Sequence, residues 1–281
     1  MRGAPHRLRL PGAGPRERLA DRWSLRAYTD DELVAALVDG RVAGPVTSHD
    51  RPDVLWKIER LFAGEPVLQF GLSGVDGIAP ERVLGLMAEA GGFDPDPGLR
   101  RGPTPVDPLR ILVAASAAGE RLVRAASRGE RVLLATGHPA GLTRLYGALS
   151  GLLGDRGAAV VHPPAGAPLV EGDGRAMVTG AFGPVAHVTG PAGPAHSHWP
   201  QAMRVLLGDA APDLVVADHG MAGAAIEAGV DAISVVDVND PAPVVARAQG
   251  RTEHVICMDD NVHPDSYWPV FQALGRAFGV D

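Results

Sequence analysis

Four short apolar runs in the second half of the chain each stop at residues able to do acid–base or metal chemistry. VLLATG leads into Thr136, Gly137, His138 and Pro139, and LVVAD closes on Asp218, followed by His219 and Gly220. AISVVD closes on Asp237, with Asn239 and Asp240 just beyond, and HVICMD closes on Asp259 and Asp260, with Asn261 and His263 behind. A further segment, AHSHWP, sets His196 and His198 two residues apart. In extended chain such a pair faces one side, so both imidazoles can address one ion. Carboxylates gathered without a cation raise one another's pKa, so a divalent metal or a basic substrate group is expected among them. The candidate ligands are His196, His198, Asp218, His219, Asp259 and Asp260, and a mixed His/Asp set leaves Mg, Mn and Zn all open.

The TGHP turn has its own chemistry. A strand, a Thr-Gly turn and a helix opened by Pro139 present backbone N–H groups and a positive helix end, a common way to hold an anion. Thr136, Gly137 and His138 are therefore expected to bind phosphate oxygens, with His138 also placed to act as a general acid. Asp237, Asn239 and Asp240 are further substrate-binding candidates, and His138, Asp218 and His219 are the catalytic candidates. The other histidines carry no such context: His162, His187 and His254 read as structural or surface residues, and His6 and His49 as solvated.

For these residues to meet, the apolar runs must be parallel neighbours in one sheet, because ligands of open α/β sheets bind beyond the strands' carboxyl ends. The pattern supplies this. From Val132 onward, continuous apolar runs alternate with helical segments, which implies right-handed crossovers and strands covered on both faces. MVTGAFGPVAHV reads as a hairpin around Gly183-Pro184, and helices are expected from Pro139, after His198, and from Ser266 to about Phe278. Before the core, helices are predicted over Asp30–Asp39, Arg51–Ala63, Pro80–Glu89 and Pro108–Arg128, with a short strand at Pro66–Phe70. FDPDPGLRRGPTPVDP is too rich in Pro and Gly for regular structure. The expected fold is α/β, a three-layer doubly wound and mainly parallel sheet with a helical N-terminal part. Residues 1–29 are expected to be a disordered extension, and residues 30–281 one domain, divided into a helix-rich part (30–128) and the site-bearing core (129–281).

Composition narrows the chemistry. Of 26 cationic side chains 25 are arginine, and Lys57 is the single lysine. No GxxxxGK[ST] loop exists, and a Schiff base would have to rest on Lys57, in a polar helical stretch with nothing catalytic nearby. Cys257 is the one cysteine, which excludes internal disulfides and cysteine-based metal centres and reads as an inert core thiol. A net charge of −7 argues against nucleic acid, and no apolar run approaches the ~20 residues of a membrane span. The expected setting is the cytoplasm, with homo-oligomerisation left open. GxSxG, a strand-borne GxGxxG, DxDx[TV] and the RHG of histidine phosphatases are all missing.

As an ordered set, ATGHPAGL, HSHWP, ADHGMAGAAIEAG, DVNDPAPVVARAQGR and MDDNVHPDSYWP resemble a family of high-GC bacterial proteins generically called phosphatases. The similarity extends to AGPVTS, ERVLGLMAEAGG and TPVDP and so covers the chain from about Arg41 onward. It implies hydrolysis of a phosphate ester, with His138, His196, His198, Asp218, His219, Asp259 and Asp260 as the residues carried over. The expected activity is that of a metal-dependent phosphatase acting on a small phosphorylated metabolite. A transferase or lyase using the same rim, or a non-catalytic metabolite or nucleotide binder, are the alternatives.

Overall fold

The computed structural model, which describes residues 22–279, is a mixed α/β fold with an open, mostly parallel sheet. The helix-rich N-terminal part holds α1 (Asp30–Asp39), α2 (Arg51–Phe62), α3 (Pro80–Gly91) and α4 (Pro108–Arg128). Their limits follow from local chemistry. Thr29 and Glu32 close a reciprocal capping box on α1, and the Asp50 side chain accepts from the Asp53 N–H to start α2. Asp107 with Pro108 starts α4, and Gly129, at φ 64°, ends it in the left-handed conformation.

The core alternates as the apolar runs require: β1 (Arg131–Ala135), α5 (Pro139–Asp155), β2 (Ala159–Val160), β3 (Pro168–Val170), β4 (Ala176–Phe182), β5 (Val185–Gly190) and β6 (Gly193–Ala195). Then come α6 (Gln201–Ala210), β7 (Leu214–Asp218), α7 (His219–Glu227), β8 (Asp231–Val236), α8 (Pro241–Ala248), β9 (His254–Cys257) and α9 (Trp268–Gly275). The sheet order is β3-β4-β5-β1-β7-β8-β9, with β2 on β1 and β6 on β5. Strands β2, β5, β1, β7, β8 and β9 run parallel, and the β3–β4–β5–β6 edge is antiparallel. From β1 the chain crosses through α5 in one direction, whereas β7–α7–β8–α8–β9 steps in the other. The strand order therefore reverses between β1 and β7, and helices of the two runs cover opposite faces. This is the doubly wound arrangement the alternation predicts.

Five elements differ from the sequence reading. Pro66–Phe70 forms turns, not a strand: Phe70, at φ 53°, and Gly71, at φ 82°, bend the chain away from any ladder. Strand β2 is two residues long because β5 takes over that side of β1 from Leu134 onward. Three-residue β3 and β6, rich in Pro and Gly, extend the hairpin without any periodicity to announce them. The last helix is split, with 3₁₀ turns at Pro264–Tyr267 and Arg276–Phe278 flanking α9. The expected N-terminal extension lies outside the described residues up to 21. Residues 22–29 are docked: Trp23 packs on Phe271, Tyr28 on Trp268, and the Gln272 amide donates to the Arg22 and Ser24 carbonyls. Among the described residues no helix is long and apolar enough to cross a membrane.

Two glycines of α7 set how closely the rim can assemble. A Cβ on Gly220 would lie 2.4 Å from the His198 carbonyl oxygen, and one on Gly223 would lie 2.1 Å from that of Phe70. Both obstacles are backbone, so neither can move aside cheaply. Gly223→Ala is expected to destabilise the protein by about 1–3 kcal/mol. Gly147→Ala, in α5 with open space around it, is expected to stabilise by about 0.5–1 kcal/mol. Urea denaturation of the pair checks both signs.

Candidate active site

At the β1/β7 reversal the expected rim is present. His138, His196, His198, His219, Asp237, Asn239, Asp240, Asp260 and Asn261 line a cavity of about 200 Å³, together with His49 and Lys57. Each strand end supplies its residue by register: Leu134 pairs with Val216, Asp218 with Val235, and Val236 with Cys257, so the chain leaves all four strands at one level.

His219 is the centre. It opens α7 directly after β7 at φ 47°, a conformation that non-glycine residues rarely adopt and that concentrates at functional sites. Its Nδ1 lies 2.7 Å from Asp218 Oδ2, which also accepts the Gly137 N–H at 3.0 Å. Its Nε2 faces the cavity, 3.4 Å from Asp240 Oδ2 and 3.6 Å from Asp260 Oδ2. The His198 ring stacks on it at 4.5 Å between centroids, His196 lies edge-on at 5.0 Å, and buried Phe70 closes the apolar side. His138 stands beside His196, at 4.6 Å, with its Nδ1 3.5 Å from Asp260 Oδ1.

Several expected residues serve the scaffold. Thr136 accepts the His138 N–H on its hydroxyl, and the Gly137 N–H goes to Asp218, so the Gly137 and His138 amides are used internally. A Cβ on Gly137 would lie 2.3 Å from the Ser197 carbonyl oxygen, and the Ser197 N–H donates to the Gly137 carbonyl. This close approach holds HSHWP against the turn. Asp259 is turned to Ser48, accepting from its N–H at 2.5 Å and its hydroxyl at 2.8 Å, and does not line the cavity. Asp218 is fully buried behind His219. His187 is buried and stacked on Phe182, His254 is half-buried, and burial pushes the Cys257 thiol up.

Two residues overturn the sequence reading. His49 is not solvated: its Nδ1 lies 2.6 Å from Asp53 Oδ2 and its Nε2 3.2 Å from Asp237 Oδ2. Lys57 does have site residues beside it, its Nζ donating to Asn239 Oδ1 at 3.0 Å and Asp240 Oδ1 at 2.8 Å. Asn239 in turn donates to Asp53. His49, Asp53 and Lys57 stand four apart, the stride of a single helix face. That spacing is legible in the sequence and could have found them.

The electrostatics follow from burial. Burial and the neighbouring His219 depress His196 to about 4, and the same pair of causes depresses His198 to about 2, so both are neutral imidazoles with free lone pairs. Burial also opposes charge on His219, but Asp260, Asp218 and Asp240 outweigh it and raise it to about 9. His49 is likewise raised to about 9, burial being outweighed by Asp237 and Asp53. Burial would neutralise Asp240, yet Lys57, His219 and His198 hold it well below the usual carboxylate range. Asp260 goes the other way: burial and the neighbouring Asp237 push it well up. Its Oδ2 and the His138 Nδ1 are buried without a hydrogen-bond partner.

The comparisons with known proteins fit this site. The chain belongs to the family described as Phosphatase, which matches residues 28–277. It is also 36% identical over 244 residues to phosphatase SCO2771 of Streptomyces coelicolor, covering 84% of this chain and 91% of that protein. No solved structure matches the chain.

The opposed histidine shifts give the metal-free protein a defined pH profile. His49 and His219, raised to about 9, hold protons in the fold that the unfolded chain releases above 6.5, so their stabilisation is complete below 6.5 and is lost as pH rises through 9. His196 and His198, lowered to about 4 and about 2, stay neutral while the unfolded chain protonates below 6.5, so acidification from 6.5 downward also destabilises. Thermal unfolding in chelator is expected to peak near the ordinary histidine value of 6.5. His198→Gln is expected to flatten the acid limb and leave the alkaline one; an unchanged acid limb would reject the assignment.

Proposed function

We propose that this protein is a metal-dependent phosphatase that hydrolyses a small phosphate monoester. One observation carries the reading: donor atoms of His196, His198 and His219, and of His219, Asp240 and Asp260, form two groups each within 4.8 Å, sharing His219. The residues present fit a divalent ion. The 3.4 and 3.6 Å separations from His219 Nε2 to the two carboxylate oxygens are too long for hydrogen bonds. They match the roughly 3.4 Å edge of a tetrahedron with ~2.1 Å metal–ligand bonds. The orphaned Asp260 Oδ2 gains a partner in such a site. When bound, the ion lowers the pKa of water toward neutrality and offsets charge on the phosphoryl oxygens.

The chain's own residues supply the rest. Asp218, through Nδ1, fixes the His219 ring so that Nε2 is presented to the cavity, and a carboxylate behind a ligand histidine also raises its basicity. His138, beside the ligand histidines and Asp260, is placed to hold a phosphoryl oxygen or to protonate a leaving group. The cavity's small volume and its charged, carboxamide and imidazole lining favour a compact polar ester over a polymer. A cytoplasmic location belongs with that reading.

The test is phosphate release from a panel of small phosphate monoesters with Mg, Mn or Zn against chelator. Release is expected only with metal. His198→Ala is expected to lower kcat/KM by roughly 100-fold or more, and Asp218→Asn to weaken metal affinity by about 10–100-fold while the circular dichroism stays native. Release undiminished in chelator would remove the metal from the reaction. Metal binding without release from any ester would favour a transferase or lyase.

A further inference from the structure

Lys57 carries an inference that rests on the metal-dependent reading above. It is the one lysine in a chain whose other 25 cationic side chains are arginine. Among the described residues it is also the one lysine or arginine side chain lining the cavity. Its side chain is only 12% exposed. The ammonium bonds to Asp240 Oδ1, while Asp240 Oδ2 lies 3.4 Å from His219 Nε2. A single carboxylate thus bridges an ammonium on one side and the proposed metal donors on the other. In two-metal hydrolases the same bridging position separates the two ions that hold the attacking and leaving oxygens.

The surroundings of Nζ look like a cation site. It meets two anionic or carbonyl-type oxygens, and on the same rim a further carboxylate oxygen, Asp237 Oδ2, faces another cationic side chain, His49, at 3.2 Å. Residue type matters here. An ammonium is a compact point charge with three independent donors, whereas guanidinium is a planar fork that wants a matching pair of acceptors. A chain that otherwise uses arginine throughout keeps lysine where a near-spherical cation fits. Two of its three donors go to Asn239 and Asp240, leaving the third for an oxygen in the cavity.

We infer that Lys57 is a built-in second cation: it occupies the place of a second divalent ion, limits the site to one metal equivalent, and donates its remaining N–H to a phosphoryl oxygen. The full-length protein, stripped of metal and reloaded with Mn or Zn, tests this by elemental analysis after gel filtration. One equivalent is expected in the wild type, two in Lys57→Ala, where the vacated space and Asp240 Oδ1 become available, and none retained in His198→Ala. Two equivalents in the wild type, or one in folded Lys57→Ala, would overturn the inference. No metal in the wild type would instead overturn the metal-dependent reading on which it rests. Lys57→Met, which fills the space without charge, is read by calorimetry with inorganic phosphate on the metal-loaded protein. Its affinity is expected to fall at least tenfold with metal still at one equivalent, and an unchanged affinity would overturn the inference even if Lys57→Ala does not fold.

Discussion

Asp218, Asp237, Asp240 and Asp260 are all buried within one rim, and the rest of the structure is arranged around the compensation of their charge. An unpaired buried charge costs several kcal/mol, so each carboxylate must find a cation, donors or a proton. Asp218 takes the Gly137 N–H and the His219 ring, Asp237 takes His49 and the Val238 N–H, and Asp240 takes Lys57. Asp260 is left with the longest contacts and is pushed toward its neutral form. The helix-rich N-terminal part and the α/β core are therefore one electrostatic unit, because α2 and the residue before its cap deliver the two cations that the core's strand ends lack.

Close backbone approach is the second requirement, and it follows from the first. Histidines can share an ion only if their segments nearly touch, and a hydroxyl or carboxylate can replace water only at bonding distance. Gly137 against Ser197, Gly220 against His198 and Gly223 against Phe70 remove the side chains that would hold these segments apart. His219 accepts an unfavourable φ at the junction of β7 and α7, held there by Asp218 behind the ring and by the stacked His198 in front. The strain is local, while α7 packs closely on α6, β7 and β8, which is how a fold over-determines an unfavourable residue.

Much of this was legible in the sequence because it is local. Continuous apolar runs specify buried parallel strands, and polar residues at their ends specify the rim, so β1, β7, β8 and β9 and their terminal residues could be read directly. His196 and His198 carried their own spacing. What could not be read that way depends on contacts across the chain. Lys57 reaches Asn239 and Asp240 over separations of 182 and 183 residues, and nothing local marks the partner. Asp259 and Asp260 are adjacent and alike in type, yet in the irregular segment beyond β9 one turns to Ser48 and the other to the cavity. Thr136, Gly137 and His138 have the composition of an anion-binding turn, but their amides donate to Ala186 of β5, to Asp218 of β7 and to the Thr136 hydroxyl.

The same charge accounting bears on how the site would exchange protons for an ion. Without a cation, protons on His49, His219 and Asp260 supply the balance, as their raised values indicate. His196 and His198, buried beside a positive His219, resist protonation and keep their lone pairs available. A divalent ion at His219 Nε2 would displace that proton and, by neutralising Asp260, a second one. Occupation of the proposed metal site is thus coupled to proton release. Lys57, held on the opposite oxygen of Asp240, need not change in that exchange, so one face of the carboxylate stays fixed while the other trades a proton for a metal.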